Sequence, residues 1–320
     1  MLPTAFLSFF TTLLFLVFLL KTKLRNYALD QPNERSLHIN LTPRTGGLAV
    51  TFGVLIAWLT VQVNLFWLLI VVALVGVSLI DDIRGLSVRW RLLAQLLVCG
   101  FFVFLHNQQL PFLLWLPIFF ALVWMTNLYN FMDGADGLAG GMGLFGFSAY
   151  AIACYLGESA LLASMSTAIA ASCFAFLLFN FHPAKIFMGD SGSISLGFLS
   201  GAIGLIGCIA GHWPIWFPFL VFSPFIVDAT VTLIKRWRNG ERLSQAHKSH
   251  YYQRLVQIGW GHKKTAIAEY MLMLLCATSA LLMLKSSNTF VLVAMLLWIL
   301  IYLAIALWID KQWQHQLLVE

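Results

Sequence analysis

TNLYNFMDGADGLAGG, residues 126–141, closes an apolar run with two amides, two carboxylates and a string of glycines. Ionisable groups at the edge of an apolar helix are costly to hold near a bilayer and mark function where they occur. Asn127, Asn130, Asp133 and Asp136 recur every third residue, so they form one slowly drifting stripe for as long as the helix continues. Gly134, Gly137, Gly140, Gly141 and Gly143 then permit unwinding or a close approach of backbone. Oxygen-rich groups on flexible backbone suit Mg²⁺, which takes one or two carboxylates and keeps waters and substrate phosphates. Zinc suits the chain less well, since no cysteine joins His247 and His250.

Outward from this stretch the chain is nearly all span. Hydrophobic residues make up 60% of its 320 residues and charged ones 10%, with a mean hydropathy of +0.85, which sets it apart from soluble domains. Apolar runs long enough to cross about 30 Å of hydrocarbon recur at 2–20, 46–62, 65–80, 90–106, 111–129, 138–156, 160–180, 193–210, 215–234, 266–284 and 289–309. The expected fold is therefore all-α and polytopic, one transmembrane domain over 1–320, with about eleven helices, or ten if one weak run is omitted.

The first run has no basic residue before it and Lys21, Lys23 and Arg25 after it, the reverse of a cleaved signal peptide. Alternating the loops from there puts 18 of the 19 Lys and Arg residues on one side, with Lys285 alone opposite. By the positive-inside rule, the loops near 21–45, 81–89, 130–137, 181–192 and 235–265 are cytoplasmic, the N-terminus outside and the C-terminus inside. The five cysteines all lie within apolar runs without paired spacing, as buried small hydrophobes do.

Acidic residues follow the same side. Asp81 and Asp82 end the third run, Asp133 and Asp136 the fifth, and Asp190 follows the seventh. One such acid is easily a helix exit; five in three clusters beside amides and glycines predict a site. HPAKIFMGDSGS, 182–193, repeats the pattern: Gly189, Ser191, Gly192 and Ser193 can present backbone N–H groups to an anion at a helix start, with Asp190 free for metal and Lys185 nearby. The longest basic loop holds Arg242, His247, Lys248 and His250 next to Tyr251 and Tyr252, a mixture suited to a phosphate-bearing ligand. RSLHINLTPRTGG, 35–47, adds Arg44 on the same face. Asp228, inside the ninth run, is either substrate-facing or an internally bonded helix acid; Glu269 is expected at the interface.

In order, DDIRGLSVRWRLLAQ, NLYNFMDGADGLAGG, FNFHPAKIFMGDSGSISLG and AHKSHYYQ resemble the motifs of the polyprenyl-phosphate N-acetylhexosaminyl-1-phosphate transferases over essentially the whole chain. The resemblance implies transfer of a sugar-1-phosphate from a UDP-N-acetylhexosamine to undecaprenyl phosphate, with release of UMP, at the cytoplasmic face of the bacterial inner membrane. It implies Mg²⁺, with Mn²⁺ as substitute, and no nucleic-acid partner. Asp190 would lead the metal ligands with Asp133; Asp81 and Asp82 would flank the lipid phosphate. Asn130, Asp133 and Asp136 would organise nucleotide and metal, with Asn127 a further substrate-binding residue, and His247 and His250 would meet the diphosphate or sugar. A groove opened by Pro214, Pro218 and Pro224 would take the isoprenoid.

Two departures narrow the branch. Gly85 stands where some members carry a third acid, and the last loop reads His247-Lys-Ser-His250 in place of the three successive histidines of the muramoyl-pentapeptide branch. Initiation of O-antigen or a related surface polysaccharide is the expected role, with the muramoyl-pentapeptide transferase as alternative. A transporter would spread its carboxylates through the bilayer, whereas these gather on one side. Small residues in spans serve packing within and between chains alike, so a homodimer stays open.

Overall fold

The structure is a computed structural model and describes residues 1–30, 37, 41–106, 110–243, 245 and 247–319. Parts of two predicted loops, at 31–36 and 38–40 and at 244 and 246, lie outside the described residues. The chain is an all-α, polytopic membrane protein. Its helices are α1 Leu2–Lys21, α2 Gly46–Thr60, α3 Leu65–Arg84, α4 Val88–His106, α5 Trp115–Phe131, α6 Leu138–Leu156, α7 Ala160–Asn180, α8 Asp190–Ile209, α9 Trp216–Val221, α10 Ser223–Arg238, α11 Tyr251–Leu255, α12 Gly261–Met283 and α13 Asn288–Val319.

Each predicted run is helical, with two differences. Among the described residues nine helical stretches are long and apolar enough to cross a membrane, while α2, at 15 residues, is shorter. The ninth run is broken at Phe222 into α9 and α10. Pro224 lies in the first turn of α10, where its missing N–H costs nothing and its fixed φ favours a new helix start.

Helices α6, α7 and α8 form the centre, each with 72% of its most apolar window buried; α13 lies outermost with 11%. Hydroxyls bind the second layer to the first. Ser8 Oγ donates to Ala168 O at 2.7 Å and pairs with Ser172 Oγ at 2.6 Å, and Thr12 Oγ1 meets Ser172 Oγ at 2.9 Å. These residues and buried Thr4 are spaced by four on one face of α1, the face turned to α7. Gly47 lets α2 touch the start of α8: a Cβ there would lie 2.2 Å from Gly192 N and 2.3 Å from its Cα.

Alternating helix direction collects the ends of α3, α5, α7 and α10 and the starts of α4, α6, α8 and α12 at one polar end. A small antiparallel pair, β1 Leu29–Asp30 and β2 Thr42–Pro43, covers it. Beyond β2 the backbone continues onto the segment before α8. Phe187 N–H donates to Pro43 O at 2.7 Å, Gly46 N–H to Phe187 O at 2.9 Å and Gly47 N–H to Met188 O at 2.8 Å. This lacing fixes Arg44 beside Asp190.

Candidate active site

The first cluster is built by a tight return. Only residues 85–87 separate α3 from α4, so one turn into α4 the chain passes back over the acids that end α3. Asp81 Oδ1 accepts the Leu86 N–H at 2.6 Å, and Asp81 Oδ2 accepts Arg91 Nη1 at 2.6 Å. The same Nη1 donates to Asp190 Oδ2 at 2.8 Å. Asp190 Oδ1 accepts the Asn130 amide at 2.9 Å, and that amide also donates to Ser193 Oγ at 2.9 Å. Asp82 Oδ2 takes the Ser191 N–H at 3.4 Å, as expected at the open N-terminus of α8. Carboxylates from α3 and α8 thus meet an amide from α5.

Gly189 makes the approach feasible. Its φ is +74°, and a Cβ there would lie 2.4 Å from Arg44 O and 3.1 Å from Asp82 Oδ2. A cavity of about 240 Å³ opens beside it, lined among others by Arg44, Asn130, Asp133, Gly134, Asp136 and Asp190.

The glycine-rich loop after α5 is held on three sides. Tyr252 Oη donates to Phe131 O at 3.1 Å, and Tyr270 Oη to Gly137 O at 2.7 Å. Asn180 accepts the Gly137 N–H at 2.9 Å and donates to Ile186 O at 2.9 Å, tying this loop to the one before α8. Asp136 lines the same cavity and is bonded on its histidine side. Its Oδ2 accepts His182 Nδ1 at 2.6 Å and the Ala184 N–H at 3.2 Å. Its own N–H donates to His262 Nδ1 at 3.2 Å, which leaves His262 Nε2 to donate to Leu37 O at 3.0 Å. The three side chains have ligand atoms within 4.8 Å of one another, and each is already engaged by hydrogen bonds.

Asp228 is the internally bonded acid of the two readings given above. It accepts the Tyr251 and Tyr252 N–H groups, each at 2.9 Å, and so caps α11; His250 Nδ1 lies 3.2 Å from its Oδ1. Buried His250 is thereby oriented by a carboxylate, with its ring over Phe131 at 6.4 Å between centroids. His247 lies next to it, the rings tilted by 35° with 4.8 Å between centroids. Burial first, then the neighbouring His250 and Arg236, pushes the His247 pKa down to about 4.

Charge at the cavity is unbalanced toward negative. Burial raises the Asp133 pKa well above the usual carboxylate range, and the nearby Asp190, Asp82 and Asp30 raise it further. Such excess charge, in a donor set of carboxylate oxygens, fits a hard divalent cation. Ser191 Oγ is buried without a hydrogen-bond partner among the described residues, a further oxygen in hand.

Not every predicted site residue joins this centre. Asn127 donates to Gln95 Oε1 and Val123 O, both at 2.8 Å, and fastens α5 to α4. The expected stripe breaks because α5 ends at Phe131. Lys185, Arg242 and Lys248 are exposed and do not line the cavity. His247 and His250 sit behind it, reaching it through Gln253 of α11, which does line the cavity. Glu269 lines a separate, mainly apolar cavity of about 230 Å³ among α10, α11, α12 and α13.

Conversely, Arg91, His182, His262 and Gln253 were not expected at the site. For Arg91 a signal existed: a three-residue return forces the first turn of α4 against Asp81. His262 lies 126 residues from its partner Asp136, and no local pattern links them.

Apolar helices that gather acids, amides and arginines at one end define a polytopic membrane protein with a polar cluster where its spans terminate. Residues 64–208 match the family described as Glycosyl transferase family 4. The chain is similar to a probable undecaprenyl-phosphate N-acetylglucosaminyl 1-phosphate transferase of Bacillus subtilis, 32% identical over 287 residues, covering 82% of this chain and 78% of that one. It is similar to a decaprenyl-phosphate N-acetylglucosaminephosphotransferase of Mycobacterium leprae, 30% identical over 76% of this chain and 74% of that one. A phospho-N-acetylmuramoyl-pentapeptide-transferase of Thermodesulfovibrio yellowstonii is 28% identical over 83% of this chain and 86% of its own. The chain belongs to glycosyl transferase family 4, among the polyprenyl-phosphate sugar-1-phosphate transferases.

Proposed function

We propose that the protein transfers N-acetylhexosamine-1-phosphate from a UDP-sugar to undecaprenyl or a similar polyprenyl phosphate at the cytoplasmic face of the bacterial inner membrane. A lipid-linked O-antigen or another surface polysaccharide would start from the product. The observation that supports this best is the convergence of Asp81, Asp82 and Asp190 with Asn130 and Arg91 where α3 and α5 end and α4 and α8 begin. One substrate is water-soluble and the other a membrane lipid, so their reacting groups meet only at such a boundary.

In the reaction an oxygen of the lipid phosphate attacks the β-phosphorus of the UDP-sugar. The bond from that phosphorus to the oxygen bridging it to the α-phosphorus breaks, and UMP leaves with the electron pair. A phosphate monoester has a second pKa of about 6, so the nucleophile is already mostly ionised at neutral pH and needs no strong base. Asp82 therefore acts by position and charge and need not abstract a proton.

A divalent cation held by Asp190 and Asp133 would neutralise charge on the diphosphate. Asn130 fixes the Asp190 carboxylate, Arg44 lines the cavity from the β2 side, and Arg91 reaches Asp190 from α4. His250, oriented by Asp228, is the expected hydrogen-bond partner for diphosphate or sugar once α11 adjusts. The isoprenoid would lie along the break in the ninth run, where Pro218 lines an apolar cavity of about 90 Å³ between α5, α8 and α9.

The test is a UMP-release screen over a panel of UDP-sugars with undecaprenyl phosphate. UDP-N-acetylglucosamine is the first candidate, because two of the similar proteins carry that sugar in their names. Release is expected only with Mg²⁺ or Mn²⁺ present; metal-independent transfer, or no transfer from any member of the panel, would overturn the proposal.

A further inference from the structure

Arg91 occupies an unusual place. A single nitrogen, Nη1, contacts Oδ2 of Asp81 at 2.6 Å and Oδ2 of Asp190 at 2.8 Å. Each carboxylate is held independently through its other oxygen, Asp81 by the Leu86 N–H and Asp190 by the Asn130 amide. The two acids would thus keep their orientation if the guanidinium left. A second observation concerns the same side chain: its Nε is buried and has no hydrogen-bond partner among the described residues. The guanidinium neutralises the acids while leaving a donor unused, an arrangement that costs free energy while no acceptor is bound. An anion with several oxygens would satisfy it better, since Arg presents a planar fork of donors to phosphate. Arg91 is about one-third exposed and sits in the first turn of α4, beside the exposed apolar side chains of Val88 and Trp90. It therefore stands on the side from which a lipid arrives.

We propose that Arg91 is a resident counter-cation of the acidic centre: its guanidinium and a divalent metal ion compete for Oδ2 of Asp190, and entry of the metal releases the guanidinium to the phosphate of the incoming lipid. This rests on the assignment of Asp190 as a metal ligand in the proposed function. The competition has two consequences. The metal-free protein keeps its carboxylates neutralised and ordered, and the metal binds more weakly than an unguarded set of acids would allow. The second effect also couples metal entry to readiness for the lipid phosphate, since one displacement accomplishes both.

The experiment measures Mn²⁺ binding by electron paramagnetic resonance to the purified full chain without either substrate, in the wild type, Arg91→Gln and Asp190→Asn. Thermal melts are run in chelator and in saturating Mn²⁺. Arg91→Gln should bind Mn²⁺ about tenfold more tightly, a partly screened share of the repulsion between neighbouring cations. It should also melt lower than wild type in chelator and recover in Mn²⁺, while its KM for polyprenyl phosphate rises. Asp190→Asn should lose most Mn²⁺ binding. If Asp190→Asn binds Mn²⁺ like wild type, the metal assignment itself fails. If it does not bind but Arg91→Gln binds no more tightly than wild type, the assignment stands and the competition is overturned. Should Arg91→Gln not fold, Arg91→Lys replaces it. That shorter side chain, with no fork of donors, should also tighten Mn²⁺ binding, and unchanged or weaker affinity would overturn the competition.

Discussion

Asp228 shows how a carboxylate within an apolar helix can serve a site it does not enter. It accepts from two backbone N–H groups of α11, from Thr232 Oγ1 at 3.1 Å and from the ring of His250. Asp228→Asn keeps the size but exchanges one acceptor oxygen for a donor, so one N–H at the start of α11 loses its partner and His250 is no longer held in one orientation. Turnover should fall about 10- to 100-fold, the range for residues that orient a functional histidine, with a smaller change in KM and unaltered helix content by circular dichroism. Unchanged kcat would reduce Asp228 to a helix cap. His247 offers a pH test at the same scale. Its pKa is about 4 in the folded protein against 6.5 ordinarily, so the unfolded chain takes up the proton first as the medium is acidified. The stability carried by the neutral ring is complete above pH 6.5 and is lost as pH falls toward 4. Melting temperature should therefore drop over that window, and His247→Asn should flatten the drop. An identical pH profile in the variant would exclude this histidine as a source.

Among the elements, the junction of α2 with α8 is the least forgiving. A Cβ at position 47 would strike backbone of Gly192, which has no rotamer to yield. Gly47→Val should destabilise by at least about 1–3 kcal/mol, the usual range for overpacking, and should lower activity together with melting temperature, because the same junction sets the start of α8 at Asp190. A variant that melts like wild type would show that α2 can slide. This junction also marks what was legible beforehand. Runs of apolar residues announce helices, because length and hydropathy are local properties, and the ends of ten of the eleven runs fall within a few residues of helix ends or breaks. The break at Phe222 followed from proline chemistry that was visible in the ninth run but read there as a groove. Pairings between elements were not legible: Asn127 shares the spacing of Asn130, yet one turn of helix directs it to Gln95. The short return after α3 signals that the first turn of α4 lies near Asp81, but not that Arg91 also reaches Asp190, 99 residues further on.

For the molecule as a whole, the charge asymmetry predicts sidedness. All five native cysteines are free, and four are buried, which permits labelling of introduced ones. In intact cells an impermeant maleimide should miss Lys248→Cys and label Lys285→Cys, after subtraction of the wild-type signal at Cys208. The reverse pattern would invert the topology and put the acidic centre on the wrong leaflet for the nucleotide-sugar donor proposed above. The acids of the site could be anticipated as a group because every downward helix delivers its polar end to the same plane. Their partners could not, since they come from segments up to 126 residues away.

The hydroxyl contacts between α1 and α7 carry a consequence for biogenesis. Ser8 and Thr12 complete their bonds only with Ser172, 164 and 160 residues later in the chain. At synthesis rates of about 5–20 residues per second, roughly 10–30 s separates their emergence. Throughout that interval the first helix waits in the insertion machinery or the bilayer with its hydroxyls turned back on its own carbonyls. The α1–α7 seam is therefore completed only about midway through synthesis, and a ribosome stalled before α7 would leave α1 packed on α2 alone, with Phe15 against Phe52, and its hydroxyl face uncovered.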